Sequence, residues 1–439
     1  MNQRRYDLIG IGIGPFHLGM AALTEEVGDI DALFLDEDEE FQWHPGMLLE
    51  GADLQVPFLA DLVTFADPTN RFSFLNYLHQ HNRLYQFYFF NRFDIPRREY
   101  NDYAQWVAHQ LYSCQFARRV IDVIDHDNED DPFYEVVTEH PKTKVQTVYY
   151  AKHVSLGTGS KPAVPEGLRH LPENDVIHSS RFLDSKETIL NSGHAVVLGS
   201  GQSAAELFLE LLQNQRYTQP HISWLTRSSG FFQLEAGKIG LEFFSPDFVD
   251  YFYQLPYEKR MDEIPLLTRL RNGVEEQTLH KIYDLLYHRS VENGEPNVTI
   301  QGHTEALKAE KLENGRYRLH CREWQEEETF STDADKIILS TGYKPHIPDW
   351  FTKFADKIEW EDDANYKVTR DYQLVFKTAR PHRFFTLTDL LHSHGIGATN
   401  LALSVQRNVT IINTIAGRTV YPEQRNTVFQ QFGVKNKPE

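Results

Sequence analysis

The chain opens with an apolar run, residues 6–11, that leads into a glycine-rich turn containing Gly10, Gly12 and Gly14. A buried strand, a glycine turn and a helix in this order are typical of a dinucleotide-binding unit in a parallel α/β sheet. We expect Gly10 to allow the turn and Gly12 to leave room for a pyrophosphate, which the N–H groups of the helix would bind. Pro15 stands where the third glycine of this pattern usually stands.

An acidic residue at the expected distance strengthens this interpretation. A second apolar stretch, residues 32–35, ends in Asp36. In dinucleotide-binding units, an acid about twenty residues after the glycines binds the ribose hydroxyls. We therefore expect Asp36 to bind the ribose of a first dinucleotide, and Gly14 and Pro15 to lie beside its phosphates.

The same pattern recurs farther along the chain. The apolar residues 195–198 lead into Gly199 and Gly201, and Gln202 and Ser203 then begin another helical stretch. One glycine motif alone is weak support for a nucleotide site. Two such units in one chain predict two different dinucleotides that face each other.

The second unit has no acid at the tip of its second predicted strand, residues 221–225. Arg227 follows that strand and is flanked by hydroxyl side chains. A guanidinium at this position favours a 2′-phosphate, and so NADPH over NADH. The alternative, a solvated surface arginine, stays open.

Composition limits the possible partners. The 439 residues carry a formal net charge of -19, and no basic cluster could replace the counterions of a nucleic acid. The two cysteines, Cys114 and Cys321, predict neither a disulfide framework nor a metal site. No stretch resembles a signal peptide or a membrane span. We therefore expect a cytoplasmic protein without nucleic-acid or membrane partners.

Three further stretches lie outside the glycine motifs. Residues 43–47 read Trp-His-Pro-Gly-Met, and residues 54–62 follow soon after. Loops just after a cofactor unit often contact cofactor or substrate, although Trp43 and His44 taken alone would more often form a packing pair. The aromatic-rich residues 72–106 predict a core layer of helices.

Together these motifs resemble one family. Their order and spacing are similar, over nearly the whole chain, to those of the flavin-dependent N-hydroxylating monooxygenases of siderophore biosynthesis, the lysine and ornithine N-monooxygenase family. One departure is His17, where that family usually has asparagine. The matching stretches are residues 10–18, 43–47, 54–62, 199–206, 340–343 and 394–395.

The resemblance implies an α/β fold with two Rossmann-like dinucleotide-binding domains. FAD would bind residues 1–190, and the chain would return to this domain, and to a C-terminal helix, over residues 346–439. NADPH would bind residues 191–345, which would include a small helical substrate insertion at about residues 231–293. A homotetramer is also implied.

The resemblance further implies where the cofactors bind and how the reaction proceeds. NADPH would reduce FAD, dioxygen would add to give a C4a-hydroperoxide, and a neutral primary amine would attack it, so no side chain is expected to act as a catalytic acid or base. Gln55 and Asn272 would line the pocket. The other cofactor positions implied are Trp43, His44, Met47, Gln55, Thr341 and Leu401.

Three positions bear on the substrate. Where ornithine-using relatives hold the α-carboxylate with polar side chains, this chain has Ala60, Leu241 and Ala402. A buried carboxylate without a partner is costly, so we expect an amine without a carboxylate, such as putrescine, cadaverine or histamine. A shifted loop with another cation, and lysine or ornithine as substrate, is the alternative. Candidate partners for the far ammonium of a diamine are Glu50, Asp53, Asp61 and Asp247.

Other classes share the two-dinucleotide pattern. A disulfide reductase needs a redox cysteine pair, which Cys114 and Cys321 do not form in the sequence. Another flavin oxygenase and a nonenzymatic flavoprotein remain as alternatives, and NADPH consumption upon addition of an amine would distinguish the last of these.

Overall fold

The computed structural model describes residues 4–218 and 220–434. Its first part contains a strand, a glycine turn and a helix, as the opening motif predicts. The elements, in chain order, are β1 (Arg5–Ile11), α1 (Pro15–Glu25), β2 (Ala32–Leu35), β3 (Asp53–Pro57), α2 (Phe74–Gln80), α3 (Leu84–Phe90), β4 (Asp94–Pro96), α4 (Arg97–Ala108), β5 (Cys114–Gln115), β6 (Arg119–His126), β7 (Phe133–Glu139) and β8 (Gln146–Leu156).

The second part holds the second glycine motif. Its elements are β9 (Ser160–Pro162), β10 (Val176–His178), α5 (Phe182–Leu190), β11 (His194–Leu198), α6 (Gln202–Thr218), β12 (His221–Leu225), α7 (Lys238–Leu241), α8 (Pro246–Tyr253), α9 (Tyr257–Leu266), α10 (Glu276–Asn293), β13 (Val298–Gln301), β14 (Thr304–Lys311), β15 (Tyr317–Glu323), β16 (Glu328–Ala334), β17 (Lys336–Leu339) and β18 (Tyr343–Pro345). The last part contains β19 (Phe384–Thr386), α11 (Leu391–His394) and α12 (Leu401–Ala416).

The first sheet has the strand order β5-β2-β1-β8-β7-β6, and β19 pairs with β8. β1 runs parallel to β2 and β8, so their carboxyl ends meet at one edge, where β19 also ends. The apolar residues of β1 are buried because α1 and α12 cover this sheet. The return of the chain as β19 and α12 therefore completes the first unit.

The second sheet is fully parallel, with the order β10-β17-β11-β12-β13. A smaller antiparallel sheet, β14-β15-β16, packs on it through Val196, Leu319 and Ile337. β9 and β18 pair antiparallel where the chain passes between the two units. The two sheets, a mixed one with a parallel β2-β1-β8 part and a fully parallel one, each carry a glycine turn and a helix, which confirms the predicted α/β class.

The helices between β12 and β13 divide into two groups. α10 packs against α6 and contributes Ile282 to the core of the second unit. α8 packs instead with the loop that precedes α12, where Phe248 and Phe252 meet Ile396. Within the predicted insertion, α8 thus reaches over to the first unit, whereas α10 packs in the second.

The aromatic-rich stretch is only partly a core layer, so that prediction was wrong for α3. Tyr100 and Tyr103 of α4 are buried. Tyr85 and Phe89 of α3, however, are 80% and 76% exposed, because this two-turn helix packs on its neighbours by few side chains. Among the described residues, no helix is long and apolar enough to cross a membrane.

Candidate functional site

The first glycine turn leaves the start of α1 open. Gly12 has a φ of +89°, and a Cβ there would lie 2.5 Å from the carbonyl oxygen of Gly157. Gly14 caps α1, and a Cβ there would meet nothing within 4 Å. Gly10 instead packs against the ring of Phe34, so the turn depends on Gly12 and not, as expected, on Gly10. The open helix end fits a pyrophosphate.

Asp36 lies at the end of β2, beside this turn. Its carboxylate accepts hydrogen bonds from the backbone N–H groups of Ile13 and Asp38. Burial raises its pKa. Two carboxylate oxygens have acceptor sites beyond these two bonds, so binding to a ribose hydroxyl is compatible with this geometry and stays a prediction.

His17 joins the first glycine turn to strand β8. Its ring is buried, with Nδ1 2.6 Å from the carbonyl oxygen of Gly12 and Nε2 2.8 Å from the hydroxyl oxygen of Ser155. Burial lowers the pKa of His17 to about 4. The neutral ring therefore donates to Gly12 and accepts from Ser155.

The Trp-His-Pro-Gly-Met segment forms a joint between the two units. His44 has a φ of +50°, and a Cβ on Gly46 would lie 2.0 Å from the carbonyl oxygen of Ser180. The ring of Trp43 packs 5.0 Å from that of Tyr100. Gly46 is thus needed for close packing against the segment that starts the second unit.

Two side chains of this segment, His44 and Met47, differ in exposure. Met47 is buried with Phe182 and Ala204 in the core of the second unit. His44 keeps an exposed edge, although the surrounding protein lowers its pKa to about 4 through burial and the Arg97 charge. Contact of either side chain with a flavin stays a prediction.

A buried polar network connects this joint with the second glycine motif. Arg97 donates from Nη2 to Glu206 Oε1 at 2.8 Å and from Nη1 to Glu206 Oε2 at 3.0 Å. It also donates to the carbonyl oxygen of Met47 at 3.1 Å. Gln202 donates to Glu206 at 2.9 Å and accepts from the backbone N–H of Glu275 at 2.8 Å. We call Arg97, Glu206 and Gln202 the interdomain clamp.

The second glycine turn resembles the first in geometry. Gly199 has a φ of +138°, and a Cβ there would lie 2.3 Å from the carbonyl oxygen of Ser340. A Cβ on Gly201 would meet nothing within 4 Å, so the start of α6, with Ser203 in its first turn, is open to an anion. The side chain of Gln202 is occupied by the clamp, which leaves its backbone N–H for a cofactor.

Arg227 lies at the expected edge of the second sheet. Its side chain is exposed, and its carbonyl oxygen accepts a hydrogen bond from the indole of Trp324 at 2.7 Å. The nearby hydroxyls of Ser200 and Ser228 lie 3.0 Å apart. Its contact with a 2′-phosphate stays a prediction.

Thr341 and Leu401 are two further positions at which a cofactor contact was expected. Thr341 donates from its hydroxyl to the carbonyl oxygen of Ala163 at 2.6 Å. Leu401 begins α12, and Asn400 caps that helix by accepting from the N–H of Leu403 at 3.3 Å. Thr341 therefore stabilises the crossing between the units, and the N-terminus of α12 faces the same sheet edge as that of α1.

The substrate candidates lie on separate elements. Leu241 ends α7 and is 42% exposed, whereas Ala60 is buried after β3. Gln55 and Asn272 are exposed. A hydrogen bond from Arg271 to the hydroxyl of Thr399, at 3.3 Å, brings the Asn272 loop to the start of α12, where Ala402 lies.

Three of the four acids expected near the substrate are engaged elsewhere. Asp53 pairs with Arg92 at 2.6 Å. Asp61 accepts from the N–H groups of Val63 and Phe74 within its own loop. Asp247 accepts from the backbone N–H of Thr427 at 2.9 Å. These side chains stabilise the fold and are poor partners for an ammonium group.

Sequence reasoning missed Asp389. It follows β19 at the carboxyl edge of the first sheet and has a φ of +56°. Burial raises its pKa, and within the described part of the chain its carboxylate has no hydrogen-bond partner. An acid directly after a strand was the available signal, as it was for Asp36. Asp389 could accept a hydrogen bond from a cofactor hydroxyl.

The comparisons with known proteins agree with this architecture. The model of the family described as L-lysine 6-monooxygenase/L-ornithine 5-monooxygenase matches residues 4–345. A putrescine N-hydroxylase of Shewanella oneidensis is 38% identical over 432 residues, which cover 98% of this chain and 85% of that protein.

Two solved structures extend the likeness to three dimensions. The FAD-bound cadaverine monooxygenase DfoA of Erwinia amylovora superposes with a TM-score of 0.93 at 35% identity, over 99% of this chain and 100% of that one. The ornithine N-hydroxylase of Kutzneria sp. 744, with reduced FAD, NADP⁺ and L-ornithine, gives a TM-score of 0.86 at 26% identity, over 94% and 99% of the two chains.

Proposed function

Because the chain belongs to the L-lysine 6-monooxygenase/L-ornithine 5-monooxygenase family, we propose that it hydroxylates one nitrogen of an aliphatic diamine for siderophore biosynthesis. The protein is a flavin-dependent N-monooxygenase, and its cofactors are FAD and NADPH. FAD, once reduced by NADPH, supplies the activation of dioxygen. The chain itself has to bind both cofactors, exclude water and hold the amine in its neutral form.

The residues that would hold the cofactors lie at the two open helix ends. The N–H groups at the start of α1 would bind the pyrophosphate of FAD, and Asp36 and Asp389 would accept from its hydroxyls. The start of α6 would bind the pyrophosphate of NADPH. Arg227 would pair with the 2′-phosphate, which favours NADPH over NADH.

The single observation that carries the substrate proposal is the loss of polar side chains at the expected carboxylate positions. Ala60, Leu241 and Ala402 offer neither a charge nor a hydrogen bond to an α-carboxylate. Leaving such a group unpaired in a pocket costs roughly 2–7 kcal/mol for a polar group and more for a charged one. A relative named putrescine N-hydroxylase and a structural neighbour named cadaverine monooxygenase support a diamine.

We also propose a homotetramer that acts in the cytoplasm. The aromatic face of α3, with Tyr85, Tyr88 and Phe89 exposed, supports a contact between subunits because such a patch is unusual on a monomer. Both cysteines are free, which fits a reducing compartment.

The test is product formation on a panel of amines. Purified holoenzyme is given putrescine, cadaverine, histamine, ornithine or lysine, while hydroxylamine, NADPH and oxygen are followed together. We expect hydroxylamine from putrescine or cadaverine in a one-to-one ratio with NADPH consumed. Faster product from ornithine or lysine would overturn the substrate proposal.

Two controls separate the alternatives. Enzyme without an amine gives the rate of peroxide release, which has to be subtracted from each oxygen trace. If none of the amines yields hydroxylamine and NADPH yields only peroxide, the protein is another kind of flavin oxygenase or oxidase. If FAD binds but NADPH is not consumed, a nonenzymatic flavoprotein is the better description.

A further inference from the structure

Arg407 is a buried cation that the proposed reaction does not use. It lies in α12, is 2% exposed, and donates from Nη2 to the carbonyl oxygen of Ala398 at 2.6 Å. A longer contact of 3.5 Å reaches the carbonyl oxygen of Leu387. Its Nε has no acceptor within the described residues. The guanidinium is therefore neither solvated nor fully hydrogen-bonded.

Three other buried or largely buried arginines have an anionic partner. Arg260 pairs with Glu361 at 2.8 Å, Arg97 with Glu206 at 2.8 Å, and Arg380 with Asp125 at 2.9 Å. Across residues 4–218 and 220–434, no carboxylate forms an ion pair with Arg407. Burial lowers its pKa, but an arginine remains protonated in proteins. Arg407 is thus a buried positive charge that has no anionic partner within the described residues.

Partial compensation comes from two aromatic rings. The guanidinium carbon lies 5.0 Å from the ring centre of Phe16 and 5.3 Å from that of Tyr372. Cation–π contacts attract a charge but are weaker than a buried ion pair. These contacts compensate the charge in part and leave it without an anion beside it.

The position of Arg407 indicates the anion that would balance it. Phe16 belongs to the first turn of α1, directly after the open cap at Gly14. Leu387 follows β19, and its N–H donates to the carbonyl oxygen of Leu156 at the end of β8. The guanidinium therefore lies behind the crevice where three strands end and α1 begins, the place where a doubly wound fold binds a dinucleotide.

We propose that Arg407 is the buried counter-charge of the FAD pyrophosphate. It does not line the open crevice, since it is almost fully covered, and it acts through its electric field across the ring of Phe16. In a low-dielectric interior such a field is strong, and it adds to the dipole of α1. The charge opposes folding of the FAD-free protein and stabilises the FAD complex. This inference rests on the proposed FAD binding.

The test compares FAD-free and FAD-loaded protein for two arginine substitutions. Arg407→Met removes the unpaired charge, and Arg260→Met removes a buried arginine whose partner Glu361 is then left alone. We expect Arg407→Met to weaken FAD binding by about tenfold or more, as expected for one buried charge interacting with a dianion, while the melting temperature of its FAD-free form stays equal or rises. Arg260→Met should lower the melting temperature of both forms alike.

Two further measurements locate the effect. Riboflavin, which has no pyrophosphate, should bind equally to wild-type protein and Arg407→Met. Arg407→Lys keeps the charge and should recover most of the FAD affinity. Both are read by quenching of flavin fluorescence, without any turnover.

Several outcomes would overturn the inference. Equal FAD affinity of wild-type protein and Arg407→Met contradicts it, and so does an Arg407→Met chain that fails to fold, because removing the charge is expected to help the FAD-free chain. A parallel loss of riboflavin binding would indicate a structural role. If wild-type protein does not bind FAD, the proposed function fails and not this inference alone.

Discussion

His17 occupies the first turn of α1, and its two ring nitrogens contact Gly12 of the first glycine turn and Ser155 of β8. Its pKa is about 4 in the folded protein, against an ordinary value of 6.5. The folded state therefore favours the neutral ring. The contribution of the neutral ring to the free energy of unfolding is fully present above pH 6.5. As the pH falls from 6.5 towards 4, about 3 kcal/mol of this free energy is lost.

We predict that His17→Asn makes unfolding less sensitive to acid. Asparagine can keep one of the two hydrogen bonds but does not take up a proton. The measurement is urea unfolding of wild-type protein and His17→Asn between pH 7.5 and 4.5. Other buried histidines take up protons in both proteins, so the informative quantity is the difference in unfolding free energy between wild-type protein and His17→Asn at each pH. A difference that stays constant over this range would contradict the prediction.

The roles of some single residues could be predicted from the sequence, and the roles of others could not. The two glycine turns were identifiable from their motifs, but the sequence did not show that Gly12, and not Gly10, has the positive φ of the first turn. The sequence could not show how Asp53 and Asp247 are engaged, because their partners lie far away in the chain, at Arg92 and Thr427. Asp389 escaped notice because its burial depends on how the chain returns to the first sheet.

At the scale of elements, residues 426–432, which we call the C-terminal segment, hold helices α7 and α8 in place. The carboxylate of Glu242 accepts from the N–H groups of Phe429 and Gln430, at 2.9 and 2.8 Å. Asp247 accepts from Asn426 and Thr427, at 2.8 and 2.9 Å. The ring of Phe432 lies 5.1 Å from that of Phe248, in the cluster that covers α8. The segment thus supports the helices that carry Leu241.

We predict that Phe432→Ala loosens these helices. Losing the packing of a half-buried ring costs about 1–2 kcal/mol locally, so α7 and α8 should be cleaved faster by thermolysin and the KM for the amine should rise severalfold. Phe429→Ala is the matched control, since this ring lies in the same segment and is 98% exposed. Equal effects of the two substitutions would show that the packing of Phe432 does not support the site.

Elements with a strong local pattern were predictable, whereas their packing was not. The strand, turn and helix of each nucleotide unit follow from residues adjacent in sequence. α10 has the same helical character as α8, yet Ile282 packs into the second unit and Phe248 packs beside α11. No local pattern distinguishes these two environments, and the same holds for the exposed rings of α3.

On the scale of the whole molecule, the clamp of Arg97, Glu206 and Gln202 is where three parts of the chain meet. Arg97 begins α4 and contacts the carbonyl oxygens of Met47 and Asp53, so it supports the segment that carries Gln55. Glu206 and Gln202 lie in the first two turns of α6, next to the glycine turn proposed to bind NADPH. The bond from Glu275 to Gln202 adds the start of α10. This buried ion pair thus contributes, with the packing of Gly46 and Met47, to the relative position of the two glycine turns.

We predict that Arg97→Met both destabilises the protein and uncouples the reaction. It leaves Glu206 buried without a partner, which costs about 3–5 kcal/mol, whereas replacing both charges by apolar residues is often close to neutral. The double substitution Arg97→Met with Glu206→Met should therefore regain most of the melting temperature. It cannot regain the bonds from Arg97 to the segment after His44, so its peroxide released per NADPH should remain high. A double variant that recovers coupling together with stability would mean that the pair only holds the fold, and that other contacts align the two cofactors.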